Sequence, residues 1–348
     1  MKKEIPSIKR MRFWQSKVSL SITACFTLAH AVSFGEGASI SEFEDLFKAT
    51  AKKWMSTQTI EFDVAFKTEW TPAFLKHRED IGYPLQIKDT KSVGTATYFA
   101  KGENYGYNLN QNWSNGAIMR DEAGAWDGNL WQRLNRYPSS GAELEVSKVR
   151  IGDYESSAKY GSPFEYAFPF LREFPRQGDV SIDGWKYNLS LERVASQEQW
   201  FTAIAHAART VGQETLDGKA ILVLTFDRGF LGGDRSRKAR YKVWFDKNFP
   251  EFPVQVQTLD RDAGLVVSEY RVTEFSDSNG YRFPKKYSYS RYDGNKGSAY
   301  GNRPYQRMDF TVTEAKFNKE IEPHKFSFDA SSVGKVVDLS TGRTIRVE

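Results

Sequence analysis

The sequence predicts a mainly β, α+β protein built on a large antiparallel sheet. Three observations point there: apolar and polar residues alternate with period two in many short segments, turn dipeptides separate those segments, and helical spacing is confined to a few stretches. The first such stretch opens the chain's folded part. Ser41 with Glu44 three residues on has the form of a capping box, and Phe43, Leu46, Phe47, Ala51, Trp54 and Met55 follow at helical spacing. The period then switches. Ile60, Phe62, Val64, Phe66 and Trp70 alternate with Glu61, Asp63, Lys67 and Glu69, which predicts a strand with one apolar and one charged face.

Further strands are predicted over 95–100 and 104–110, carrying Tyr98, Tyr105, Tyr107 and Leu109. Ala220 to Phe226 reads as an almost fully apolar strand entered through a hairpin turn at Asp217-Gly218. Tyr241, Val243 and Phe245 share a face of the next, and Val254 and Val256 a face of another. Ser268, Tyr270 and Val272 follow, then Tyr287 and Tyr289, then Met308, Phe310 and Val312, with turns at Asp262-Ala263-Gly264, Ser278-Asn279-Gly280 and Asp293-Gly294-Asn295. The middle is expected to be irregular from about 110 to 195. Prolines 138, 163, 169 and 175 interrupt it, short helices are expected near Phe164 to Phe174 and over Gln197 to Ala208, and no repeat or linker divides the chain.

The N-terminus reads as a secretory leader. Lys2, Lys3, Lys9, Arg10, Arg12 and Lys17 precede an apolar run from Val18 to about Leu28, and Ala29-His30-Ala31 is a small-x-small cleavage site. Cleavage is expected after Ala31, leaving a single domain over 32–348 in the periplasm or cell envelope of a bacterium. The alternative is lipidation at Cys25, because Ile22-Thr23-Ala24-Cys25 has the form of a lipobox, and a lipid anchor would follow.

Removing the leader changes the charge. The whole chain is +5, but residues 1–31 hold six Lys/Arg and one Glu, so the remainder has 43 basic and 43 acidic residues. A neutral chain lacks the overall basic balance that nucleic-acid binding draws on. Cys25 is the sole cysteine, so no disulfide can form within the chain, and about 317 residues suffice for a core without one.

Several segments together resemble the LolA/LolB-like superfamily of bacterial periplasmic lipoprotein carriers and their relatives. They are Tyr241-Lys242-Val243-Trp244-Phe245-Asp246, Phe252-Pro253-Val254-Gln255-Val256, Asp260-Arg261-Asp262-Ala263-Gly264 and Gly280-Tyr281-Arg282-Phe283-Pro284. Trp126-Asp127-Gly128-Asn129-Leu130-Trp131 is similar to a turn of that family, and Phe326-Ser327-Phe328 with Val336, Val337 and Asp338 to the tail of its long envelope versions. The resemblance implies a strongly curved antiparallel sheet forming an unclosed barrel, with helices plugging the concave side. It also implies a cavity there for acyl chains or other apolar groups. The arginine that latches the lid in true carriers has no match here.

Aromatic residues number 51 of 348. On a curved sheet they are candidates to line that cavity, foremost Phe62, Phe66, Trp70, Tyr98, Tyr105, Tyr107, Trp126, Phe245 and Tyr270, and the bland alternative is ordinary core. Arg235, Arg237, Lys238 and Arg240 follow Gly232-Gly233 in what reads as a hairpin loop and are candidates to meet a lipid headgroup or a partner protein. No catalytic or metal-binding pattern occurs. Asp260-x-Asp262-x-Gly264 lacks the later ligands of a calcium loop and reads as a turn, His77, His206 and His324 are far apart, and acidic pairs such as Asp121/Glu122 are unremarkable. The expectation is a non-enzymatic binder of a lipid or lipoprotein acyl chain, with no cofactor and with transient contact to a membrane surface. The alternatives are an envelope stress-sensing or protein-interaction module, and an exported hydrolase or carbohydrate binder. The last would show two carboxylates flanked by Trp or Tyr.

Overall fold

The alternation at 59–70 becomes β1 (Thr59–Trp70), and its bulged pairing with the last long strand organises the whole sheet. The structure, a computed structural model, describes residues 41–42, 45–46, 49, 52–53, 56–80, 89–102, 104–137, 141–147, 167, 208–231, 234–249, 251–292 and 303–346. The strands within these are β1, β2 (Lys91–Lys101), β3 (Asn104–Trp113), β4 (Ile118–Trp126), β5 (Trp131–Tyr137), β6 (Gly141–Ser147), β7 (Ala208–Leu216), β8 (Lys219–Leu231) and β9 (Asp234–Phe245). They continue with β10 (Gln255–Asp260), β11 (Val266–Ser278), β12 (Tyr281–Arg291), β13 (Gln306–Phe317), β14 (Lys335–Asp338) and β15 (Arg343–Arg346).

All belong to one sheet in the order β15-β14-β6-β5-β4-β3-β2-β1-β13-β12-β11-β10-β9-β8-β7. Two meanders, β1–β6 and β7–β13, are therefore seamed by the β1–β13 pair. The sheet is antiparallel except where β14 runs parallel to β6, and it is not closed into a barrel, since β15 and β7 end it. It lies wholly within Gly35–Glu348.

Local chemistry explains the connections. Asp217 and Gly218 both have positive φ (51° and 78°), as a two-residue hairpin with the twist of its strands requires. At the β4–β5 turn, Asp127 Oδ1 accepts hydrogen bonds from the backbone N–H groups of Asn129 and Leu130 (2.8 Å each).

β13 carries one extra residue at Thr313, between the pairs Asp63–Glu314 and Val64–Val312. That bulge reverses the alternation, so Phe310 and Val312 on one side of it and Ala315 and Phe317 on the other all reach the same core.

One face, here called inner, holds the main core from Trp131 on β5 to Phe226 on β8. Leu46, one of the helical residues between 41 and 53, packs against it, and helical Ala167 is buried in it. Lys53 ties this N-terminal helical segment to the sheet by an ion pair with the buried Glu251 and lies over the Tyr281 ring at 5.4 Å. The outer face is crossed by the chain leaving β13. Ile321 and Phe326 cover Phe99, and Phe328 and Val333 cover Leu134 and Leu144 before β14 joins the edge.

Three readings from sequence are corrected, and one helix is new. The region expected to be irregular from about 110 is regular sheet up to Ser147, because Ala123, Ala125 and Gly124 alternate faces without bulk and hide the period. Val254 and Val256 do not share a face. The Val254 N–H donates to the Trp244 carbonyl (2.8 Å) while Gln255 is Trp244's register partner, so one residue is doubled and Val254 packs on the outer face with Ile221 and Val223.

Pro72–Asp80 is a helix, α1, that periodicity did not predict. Thr71 caps it, its Oγ1 accepting from the Phe74 N–H at 3.2 Å, with Pro72 in the first helical position. Arg235, Arg237, Lys238 and Arg240 lie in β9, not in a loop. The expected helix near 164–174 lies outside the described residues apart from Ala167, and that over 197–208 apart from Ala208, which begins β7. The turn at 293–295 lies outside them too.

Candidate functional site

Eight of the nine aromatic candidates, Phe62, Phe66, Tyr98, Tyr105, Tyr107, Trp126, Phe245 and Tyr270, are buried in the single inner-face core. Each sits at an inward position of its strand, so β1, β2, β3, β4, β9 and β11 each contribute. Trp70 is half-buried and packs instead on Trp113, with ring centroids 5.4 Å apart.

The rings run along the sheet as a nearly continuous surface. Trp131 lies 6.3 Å from Tyr107, Tyr98 6.5 Å from Phe62, Phe66 5.9 Å from Phe310, Phe310 4.7 Å from Tyr287, and Tyr287 5.5 Å from Tyr270. These are stacking and edge distances. Trp131, Tyr287 and Phe310 were not singled out from sequence, although the strand alternation carried the signal for them.

Two glycines allow the rings to settle onto the backbone. A Cβ at Gly94 would lie 2.5 Å from the Phe66 ring, and one at Gly124 would lie 2.3 Å from Tyr107 and 2.9 Å from Trp131.

The centre of this face is neutral. Burial pushes the Tyr270 phenol well above its usual value, with Tyr287 adding to the shift, and burial likewise raises Tyr287. The Tyr270 hydroxyl makes no hydrogen bond.

Towards β3–β6 the same face turns polar. Glu122 on β4 is the register partner of Asn135 on β5, and Arg133 is that of Glu145 on β6. Arg133 and Glu145 form an ion pair at 2.7 Å. Gln111 donates from Nε2 to the Ser92 hydroxyl at 2.7 Å. All except Arg133 are less than a tenth exposed, yet Gln111 Oε1, Glu122 Oε1, Asn135 Nδ2 and the Trp131 indole Nε1 have no hydrogen-bond partner. Leaving such atoms unpaired costs about 1–3 kcal/mol each. The adjacent Asp121 points the other way and pairs with Arg136 at 2.9 Å. The acidic pair that looked unremarkable is thus one outer and one inner carboxylate.

On the outer face, a pocket of about 300 Å³ is lined by Glu61, Lys316, Lys319, Ile321, Glu322 and Lys325 among others. Glu61 is buried between Lys316 (3.0 Å) and Lys325 (2.5 Å). Burial is the largest influence on its carboxyl and raises the pKa. The hydrogen bonds from Lys325 and Lys316 together outweigh it and leave the value below the usual 4.5. With Glu320 also in its lining, the pocket holds three lysines and three glutamates and carries no net formal charge.

Two of the four basic residues have described side chains. Arg240 is held by Asp227 (Nε to Oδ1 2.7 Å), whose hydrogen bond is the first cause raising its pKa. Lys238 is exposed, and the side chains of Arg235 and Arg237 lie outside the described residues. Asp260 is a turn former, its Oδ1 accepting from the N–H groups of Asp262 (3.0 Å) and Ala263 (2.9 Å). Among the described residues no three His, Cys, Asp or Glu side chains converge as metal ligands, and no helix is long and apolar enough to cross a membrane. Ala31 and Cys25 lie outside the described residues.

No protein-family model and no curated protein matches this chain. Solved structures do. The chain is similar to a DUF1329 family protein from Desulfovibrio piger, at 10% identity and a TM-score of 0.37 over 83% of this chain and 97% of that one. It is similar to the LolA superfamily protein NE2245 from Nitrosomonas europaea, at 12% identity and a TM-score of 0.38 over 82% and 97%. It is also similar to MucB, solved in complex with MucA(peri), at 11% identity and a TM-score of 0.22 over 85% and 61%.

Proposed function

We propose that this is an exported, non-catalytic protein of the bacterial cell envelope that buries an apolar ligand, a lipid or the acyl chain of a lipoprotein, against the inner face of its open sheet. The observation that supports this reading is the run of aromatic rings from Trp131 to Tyr270, kept neutral by burial. A chain laid along such a surface gains about 0.8 kcal/mol for each methylene removed from water. Several methylenes suffice for useful affinity, and no chemistry is required. Export rests on the leader, with cleavage after Ala31 releasing the protein to the periplasm, or lipidation of Cys25 tethering it.

The test is extraction. Protein purified from cell envelopes under mild conditions is denatured and its organic extract analysed by mass spectrometry. The expected result is a defined lipid class at close to one molecule per chain. A lipid-free protein that also fails to take up an added acyl probe contradicts the reading.

A further inference from the structure

We propose that Glu122, with Asn135 and Tyr137 beside it, holds the ammonium head of an amphiphile at the β4–β6 end of the inner face. The proposal rests on the apolar-chain reading above and specifies its head.

The three residues are close by register. Glu122 on β4 and Asn135 on β5 are direct cross-strand partners, so their Cβ atoms lie within about 5.5 Å. Tyr137 follows Asn135 by two positions on β5 and shares its face. Glu122 is 9% exposed and Asn135 6%, whereas Tyr137 is 46% exposed, so the group opens to solvent at the tyrosine.

Among the described residues Glu122 enters no ion pair, and neither its Oε1 nor the Asn135 Nδ2 makes a hydrogen bond. A carboxylate this deep is costly without a counter-charge. An ammonium group supplies that charge and carries three donors. One meets Glu122 Oε1, and another meets the Asn135 oxygen once the carboxamide turns about its terminal bond. The exposed ring of Tyr137 offers its face to the same cation.

The neighbouring charges favour a cation over an anion. Arg133 is held by Glu145 at 2.7 Å, and Lys335 by Glu143 at 2.8 Å. The register partners of Arg133 are Glu145 on one side and Gly124 on the other, and Glu122 adjoins Gly124 on the same face. An anion drawn to the Arg133 Nε would therefore stand between two carboxylates. Arg120, two residues before Glu122, is half-exposed and already engaged, so its charge is screened. The Tyr137 phenol senses the sum of these groups. Burial raises its pKa most, Glu143 and Glu145 raise it further, Arg133 lowers it and Glu122 raises it. A phosphate or carboxylate head would add to these negative charges, and a hydroxyl head would leave Glu122 without a counter-charge.

The experiment offers lipid-stripped protein three amphiphiles with one decyl chain: decylammonium, decanol and decanoate. Each is titrated near pH 7 below its micelle concentration, with displacement of a fluorescent acyl probe as the readout. Wild-type protein is expected to bind decylammonium about tenfold tighter than decanol, and decanoate most weakly, because only the ammonium makes a charged hydrogen bond to Glu122. Glu122→Gln is expected to weaken decylammonium until it binds within about twofold of decanol. That change removes a buried charge, so the ligand-free melting temperature should not fall, which shows that the variant is folded. Tyr137→Leu, at an exposed position, is expected to weaken decylammonium about threefold.

Equal binding of decylammonium and decanol by wild type, or tighter binding of decanoate, overturns the head proposal and leaves the apolar-chain reading standing. An ammonium preference that survives Glu122→Gln also overturns it. Binding of none of the three overturns both. Binding of methylammonium as tightly as decylammonium supports the ammonium site and overturns the apolar-chain reading.

Discussion

Along β1 the two faces of one strand carry opposite chemistry, and the contrast extends across the sheet. Phe62, Val64 and Phe66 face inward and are buried among rings from neighbouring strands. Asp63, Lys67 and Glu69 face outward, where Lys67 meets Glu69 at 3.6 Å and Asp309 at 3.9 Å in half-exposed pairs. The inner face derives its energy from area removed from water and tolerates no loss of volume. The outer face holds charges whose mutual attraction is screened. It becomes costly to alter where the C-terminal segment covers it, as at Glu61, and where Ile221, Val223 and Trp244 form a buried apolar cluster of their own. Fold stability and the proposed binding surface therefore draw on the same inner residues, while most outer residues are free to vary.

The contrast can be broken in steps, starting with the largest. Phe62→Ala should cost about 3–5 kcal/mol in urea unfolding, as truncation of a fully buried aromatic does. A loss under 1 kcal/mol would mean that the inner face is loosely packed. Gly124→Ala should cost about 1–3 kcal/mol, because its methyl group would lie 2.3 Å from Tyr107 and must displace that ring or Trp131. The near-ultraviolet circular dichroism of these rings should change with it.

Glu61→Gln should cost about 1 kcal/mol at neutral pH, since two lysines lose a charged acceptor. The pH dependence has a fixed sign. The native carboxyl is depressed below 4.5, so its contribution is complete above that value and disappears as pH falls through the native pKa. The difference between wild type and Glu61→Gln, followed by denaturation from pH 7 to pH 2, should shrink to nothing at the acid end. Lys67→Ala should change stability by less than about 0.5 kcal/mol, and a larger loss would show that the outer pairs matter more than their exposure allows.

How far this was legible in sequence depended on whether a feature resides in one strand or between strands. Alternation within β1, β2 and β3 placed Phe62, Phe66, Tyr98, Tyr105 and Tyr107 on one face without any structure. The Asp-Gly and Asn-Gly pairs at 217–218 and 279–280 marked their hairpins, since both residues of each pair adopt positive φ.

The bulge at Thr313 and the doubled residue at Val254 were not legible, because an extra residue reverses the alternation and only the partner strand reveals it. α1 was missed although Thr71-Pro72 is a sound start signal, since its nine residues carry no apolar stripe. The polar end of the inner face was hidden for a further reason. Gln111, Glu122 and Asn135 belong to three strands, and each looks ordinary until register brings them together.

The most direct test of the central claim, that the inner face buries an apolar chain, is the dependence of affinity on chain length. Linear alcohols of increasing length are titrated against lipid-stripped protein, with displacement of a fluorescent acyl probe as the readout. Burial against the aromatic row predicts an affinity that rises about fourfold per added methylene until the row is filled. An affinity that does not change with chain length, or the absence of any displacement, would contradict the account.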